Sequence, residues 1–186
     1  MKKFLIIILL FVIISAAGII GYNLLKDQID PSAKTLTSDD NKYSMEIPAS
    51  WNTAEKASDI CILAAENRDS SMYAALSVNR YVADGTTIED YISAYISDIA
   101  SNSDDPSQQT ITVEPQQATF GENTGYYFEL STQSGGISVH TRDFVISTTD
   151  GYLHIDVILP NDADEEDLKT AEHIIASVRY SPDGNV

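Results

Sequence analysis

The sequence predicts an α+β domain, an antiparallel sheet of about six to seven strands packed against helices, preceded by one N-terminal transmembrane helix. Three observations predict it. An uncharged apolar run fills residues 4–25, strand-like alternation opens the remainder and returns in three long segments, and two stripes of helical period stand between and after those strands.

The run over residues 4–25 is about 33 Å long as a helix, enough for a bilayer core of about 30 Å. Lys2 and Lys3 precede it and Lys26 closes it, which favours a cytoplasmic N-terminus and an extracytoplasmic remainder. Residues 1–26 are therefore expected to be a membrane anchor or uncleaved signal, making a single-pass protein of the cell membrane. The alternative is secretion after cleavage at Ala17, because Ser15-Ala16-Ala17 offers small residues at the signal-peptidase positions. Against cleavage, Ile19, Ile20, Leu24 and Leu25 carry the apolar character past that point. Residues 27–41, with Pro31, several Ser and Thr and no apolar period, read as a stalk.

The folded domain is expected over residues 42–180. Tyr43, Met45 and Ile47 alternate with Ser44 and Glu46, a strand with one buried face that Pro48 stops before Trp51, a core residue. Residues 60–65 and 74–81 form a hairpin across a turn at 67–71. The period then changes. Ile88, Tyr91, Ile92, Tyr95, Ile96 and Ile99 make one stripe of a helix, with Thr86 and Glu89 as its capping box. Tyr91 and Tyr95 on that stripe read as core in preference to an aromatic binding face.

A polar loop and the short strand 110–113 lead, through a Pro- and Gly-containing turn, to strands over residues 125–132, 137–148 and 152–160. Asp150-Gly151 is the hairpin signal between the last two; as a two-residue turn it sets Thr148 opposite Leu153, Ile146 opposite Ile155 and Phe144 opposite Val157. Phe144, Ile146, Ile155 and Val157 then share an apolar face, while Ser147 faces His154 and Val145 faces Asp156. A two-residue turn at Gly135-Gly136 would place Glu129 opposite Arg142 as a cross-strand ion pair. The last helix spans residues 163–177, with acids crowding its start and Leu168, Ala171, Ile174, Ile175 and Val178 as its apolar stripe. Residues 181–186 are a short polar tail.

The segment 43–51, Tyr-Ser-Met-Glu-Ile-Pro-Ala-Ser-Trp, and the closing Ile174-Ile175-Ala176-Ser177-Val178 resemble the two ends of bacterial PsbP-like domains. The resemblance implies an α/β/α sandwich around a central antiparallel sheet, outside the cytoplasm. It carries no site residues, and the chain lacks the lipidated cysteine of many members of that family.

Composition narrows function. The chain has 186 residues and a formal charge of −17, and three of its 11 basic residues lie in residues 1–26 while all 28 acids lie beyond them. So acidic a domain disfavours nucleic acid and anionic headgroups and favours a cation or a basic protein partner. The single cysteine, Cys61, sits in an apolar run and reads as structural. His140, His154 and His173 show no ligand spacing for a metal, and a Ser147–His154–Asp156 relay lacks a nucleophile elbow. Residues 162–167 resemble a calcium loop in acidity alone and fit helix-start stabilisation better. No catalytic residue, cofactor-binding residue, metal ligand or cofactor is assigned. The expected function is a membrane-anchored, non-enzymatic binding or accessory module; the alternative is a hydrolase or metal-dependent enzyme using the histidines of the C-terminal strands.

Overall fold

The computed structural model describes residues 33–79, 85–102, 109–134 and 137–186. The expected membrane segment and the Gly135-Gly136 turn lie outside them. No helix among the described residues is long and apolar enough to cross a membrane.

Among the described residues ten strands and two helices follow in the order β1 (Lys34–Thr37), β2 (Tyr43–Ile47), β3 (Asn52–Thr53), β4 (Cys61–Asn67), β5 (Met72–Asn79), α1 (Ile88–Asn102), β6 (Thr110–Phe120), β7 (Asn123–Ser134), β8 (Ile137–Thr148), β9 (Gly151–Leu159), α2 (Glu165–Ser177) and β10 (Arg179–Tyr180). A seven-stranded sheet has the order β3-β4-β5-β9-β8-β7-β6, and a three-stranded one the order β1-β2-β10. All recorded strand pairs are antiparallel. The α+β class holds, with one addition to the expected layers: a small second sheet shares a face of the large one with α2.

Period-two alternation gives each face of the large sheet its own core. On one face Leu63, Leu76, Phe144, Ile146, Ile155 and Val157 pack against Tyr43, Met45, Ile47 and Trp51, against Ile174 and Ile175 of α2 and against Val178 just after it. On the other, Phe128, Leu130 and Val145 receive Ile92 of α1, flanked by Ile88, Tyr91, Tyr95, Ile96 and Ile99.

Four expectations need correction. The stalk reading of residues 27–41 fails for its described end, because β1 pairs with β2 from Lys34↔Ile47 to Thr37↔Ser44; a four-residue strand is too short to show a period in sequence. The tail is also part of the domain: Val186 N donates to Asn41 O at 3.3 Å and Ser181 N to Lys42 O at 2.9 Å, while β10 joins β2 and stacks Tyr180 on Tyr43 with ring centroids 5.3 Å apart. The cap of α1 falls one residue later than expected. Asp90 N donates to Thr87 Oγ1 at 3.1 Å and Thr87 N to Asp90 Oδ2 at 3.1 Å, leaving Glu89 free to accept from Tyr126 Oη. Finally, β6 runs through Pro115 instead of ending at Val113. It is the sheet's edge strand, and register breaks between Ile111 and Gln116 accommodate a residue that cannot donate to the ladder.

Candidate functional site

The β8–β9 hairpin decides which polar groups meet. Thr148 pairs with Gly151, so the connecting residues are Thr149 and Asp150, and Gly151 starts β9 at φ 126°, a conformation open to glycine. The Asp150 carboxylate accepts from Tyr43 Oη at 2.8 Å and Lys42 Nζ at 3.2 Å, and Thr148 Oγ1 donates to Gly151 O at 2.9 Å. The register therefore differs by two residues from the expected one. Ile146 faces Leu153, Phe144 faces Ile155, Val145 faces His154 and Asp143 faces Asp156. A slip of two preserves both faces and changes every partner.

Its consequence is a polar cluster under α1. Asp143 and His154 are buried and Asp156 is partly exposed. His154 Nε2 lies 2.9 Å from Asp143 Oδ1, and His154 Nδ1 lies 3.3 Å from Tyr91 Oη. Tyr95 Oη stands 3.2 Å from Asp143 Oδ1 and 3.2 Å from Asp156 Oδ1. Thr141 Oγ1 donates to Asp143 Oδ2 at 2.6 Å. The Tyr95 ring meets the imidazole edge-on at 4.4 Å. Tyr91 and Tyr95 thus do two things: their rings fill the smaller core and their hydroxyls meet the cluster, Tyr91 at the His154 imidazole and Tyr95 at the two acids.

Charge at the cluster is tightly coupled. Burial, then the facing Asp143 carboxylate, push Asp156 up to about 7. Asp156 keeps partial access to solvent, while the like charge stands directly opposite it. The single Tyr95 hydroxyl proton cannot serve two ionised carboxylates at once, which also favours a proton on one of them. Burial alone would depress His154, but Asp156 and the hydrogen bond to Asp143 outweigh it and hold the imidazole above its usual value. Burial and the two acids raise Tyr95 strongly and Tyr91 to about 12, so both remain neutral donors.

The histidines do not converge. His154 faces α1, whereas His140 follows the even-numbered face of β8 toward the larger core, and His173 sits on α2 with Nε2 3.3 Å from Glu46 Oε2. Ser147 is exposed opposite Tyr152, and both ring nitrogens of His154 are engaged by Asp143 and Tyr91, so the Ser147–His154–Asp156 relay is not assembled. Asp164 caps α2, accepting from Glu166 N and Asp167 N at 2.8 and 3.0 Å, while Asp167 accepts from Asp164 N at 3.3 Å. Cys61 is buried, with Sγ 3.3 Å from Leu63 O. Arg142 lies opposite Glu129, with Nε 3.2 Å from Oε1 in a charge contact without hydrogen-bond alignment, and Nη1 3.4 Å from Glu172 Oε1.

Sequence reasoning missed Asp143. It is an isolated acid between Arg142 and Phe144, and only its position opposite Asp156 distinguishes it. The available signal was Asp143, His154 and Asp156 on one face of a paired hairpin, legible once the register is known.

No family model matches the sequence, and no curated protein matches it at a significant level. At the level of the fold it is similar to cyanobacterial PsbP (CyanoP) from Synechocystis, with 12% identity and a TM-score of 0.58 over 82% of this chain and 95% of that one. LpqN of Mycobacterium tuberculosis, described as involved in cell envelope biogenesis, is similar at 13% identity and a TM-score of 0.50 over 82% and 87%. A crystal structure from Bacteroides thetaiotaomicron is similar at 16% identity and a TM-score of 0.55. That match covers 82% of this chain, which spans about half the length of the other.

Proposed function

From the premise that the chain carries a PsbP-like domain, we propose that it is a membrane-anchored, extracytoplasmic binding or accessory module without catalysis of its own. The observation that carries this reading is the uncharged run of residues 4–25, bounded by Lys2, Lys3 and Lys26, with every acid of the chain beyond it. The description of LpqN as involved in cell envelope biogenesis agrees with such an address. A reading without catalysis is supported by the relay that is not assembled: Ser147 pairs with Tyr152 and not with His154, and His173 sits on Glu46 away from the cluster. The acidic surface favours a cation or a basic protein as partner and repels anionic headgroups.

A hydrolase or metal-dependent enzyme built on all three histidines would need His140 and His173 on the α1 side of the sheet, and they lie on the other. Expression of the full chain in a bacterium tests the proposal. It should sediment with membranes, resist carbonate extraction, and lose its domain to protease added to spheroplasts. A soluble cytoplasmic full-length chain would refute it.

A further inference from the structure

Two carboxylates facing each other in a protein interior are relieved by a proton on one of them or by positive charge between them. Among the described residues the cluster under α1 has neither Lys nor Arg. Arg142, next in sequence to Asp143, points to the opposite face, toward Glu129 and Glu172. Among the described residues His154 is the one cationic group that faces the pair, and the hydroxyls of Tyr91, Tyr95 and Thr141 stand beside it.

We propose that Asp143, His154 and Asp156 ligate one divalent cation of the zinc and manganese class, beneath α1 and capped by Tyr95. A ligand atom from each residue lies within 4.8 Å of the others. Ligands of a tetrahedral ion with bonds of about 2.0–2.2 Å stand about 3.3–3.6 Å apart, so the set contracts by roughly 1 Å at its widest. One imidazole nitrogen with two carboxylate oxygens suits zinc or manganese better than calcium, which takes oxygen alone.

Acidity alone would not make this a site. The second observation is the way the ligands are held. With Nε2 on the cation, the imidazolium releases its Nε2 proton to solvent and keeps the one on Nδ1, which donates to Tyr91 Oη 3.3 Å away; a metal-bound imidazole is oriented by such a partner. Thr141 Oγ1 donates to Asp143 Oδ2, while Oδ1 faces the cluster, where a cation would take the place of the His154 Nε2–H now bonded to it. Partly exposed Asp156 provides the entry path. A bound cation would join β8, β9 and, through Tyr91 and Tyr95, α1. The inference supplies a ligand class for the binding module, and its failure would leave the membrane test unaffected.

The test is titration of the full chain, purified in detergent and stripped with chelator, with Zn2+ and with Mn2+ near pH 7.5, followed by calorimetry and thermal melting. One equivalent should bind and raise the melting temperature. Asp143→Asn and His154→Gln should each weaken binding by about 100-fold or more, and Tyr91→Phe by about 10-fold. Should the two buried variants fail to fold, Asp156→Asn decides: it relieves the like-charge contact, is expected to fold, and should weaken binding as strongly as they would. Unchanged affinity in Asp156→Asn, or no saturable binding, overturns the proposal. So does binding lost only in Glu165→Gln/Glu166→Gln, which would mean an adventitious ion only.

Discussion

Asp143 and Asp156 stand directly opposite each other on β8 and β9, and one hydroxyl, Tyr95 Oη, lies 3.2 Å from an oxygen of each. An acid facing an acid in a sheet is unfavourable unless a proton, an imidazolium or a cation lies between them. Most of the chemistry available to this domain follows from that pair.

Removing one charge should stabilise the metal-free protein. In chelator at pH 8, Asp156→Asn keeps an acceptor for Tyr95 and ends the repulsion, so its unfolding free energy in urea should rise by about 1 kcal/mol. A fall of similar size would show that the carboxylate contributes more as an acceptor than it costs as a charge.

Tyr95→Phe keeps the ring against Phe128 and His154 and deletes the bridging hydroxyl. Both acids lose a donor, and stability should drop by about 1–3 kcal/mol. In a cycle with Asp156→Asn the two effects should not add, because the groups touch.

A pH dependence should come from His173. Burial lowers it below its usual value despite Glu46, with Arg179 adding to the depression. Its folded pKa is thus below the unfolded 6.5, so the neutral ring's contribution is present above pH 6.5 and is lost as pH falls through the folded value. His173→Gln should flatten the fall in melting temperature between about pH 6.5 and 5. An unchanged slope would assign that fall to other groups.

Arg142 is 13% exposed at its side chain and sits between Glu129 and Glu172. Arg142→Met should cost about 1–3 kcal/mol, chiefly because Glu129 is left half-buried without a cation, and Glu129→Gln in the same chain should restore part of it. Chemical denaturation of the four cycle members measures this.

The β6–β7 turn tolerates no side chain. Gly121 has φ 58°, and a Cβ there would lie 2.3 Å from Ala176 O of α2. Gly121→Ala should destabilise by about 2–3 kcal/mol through strain and displacement of the helix end. Melting of that variant checks it; a loss below 0.5 kcal/mol, about the scatter of surface substitutions, would contradict the close approach.

Much of this architecture is legible in sequence because long elements advertise a period. The stripe from Ile88 to Ile99 and the alternation around Phe144 and Ile155 identify their elements and their buried faces. The short β1 and β10 show no period, since strands of four and two residues complete too few repeats. Pro115 suggests an end to β6 that an edge position does not require.

By itself the sequence determines the α+β class, the two faces of the long strands and the acidity of everything beyond Lys26. The tertiary structure alone decides the partners across β8 and β9. Apolar alternation repeats every two residues, so registers two apart bury the same face and hydrophobicity cannot choose between them. Contacts distant in sequence choose, among them Tyr43 and Lys42 on Asp150, together with the φ that Gly151 adopts at the start of β9. That choice brings Asp143 opposite Asp156, beside His154 and beneath Tyr95.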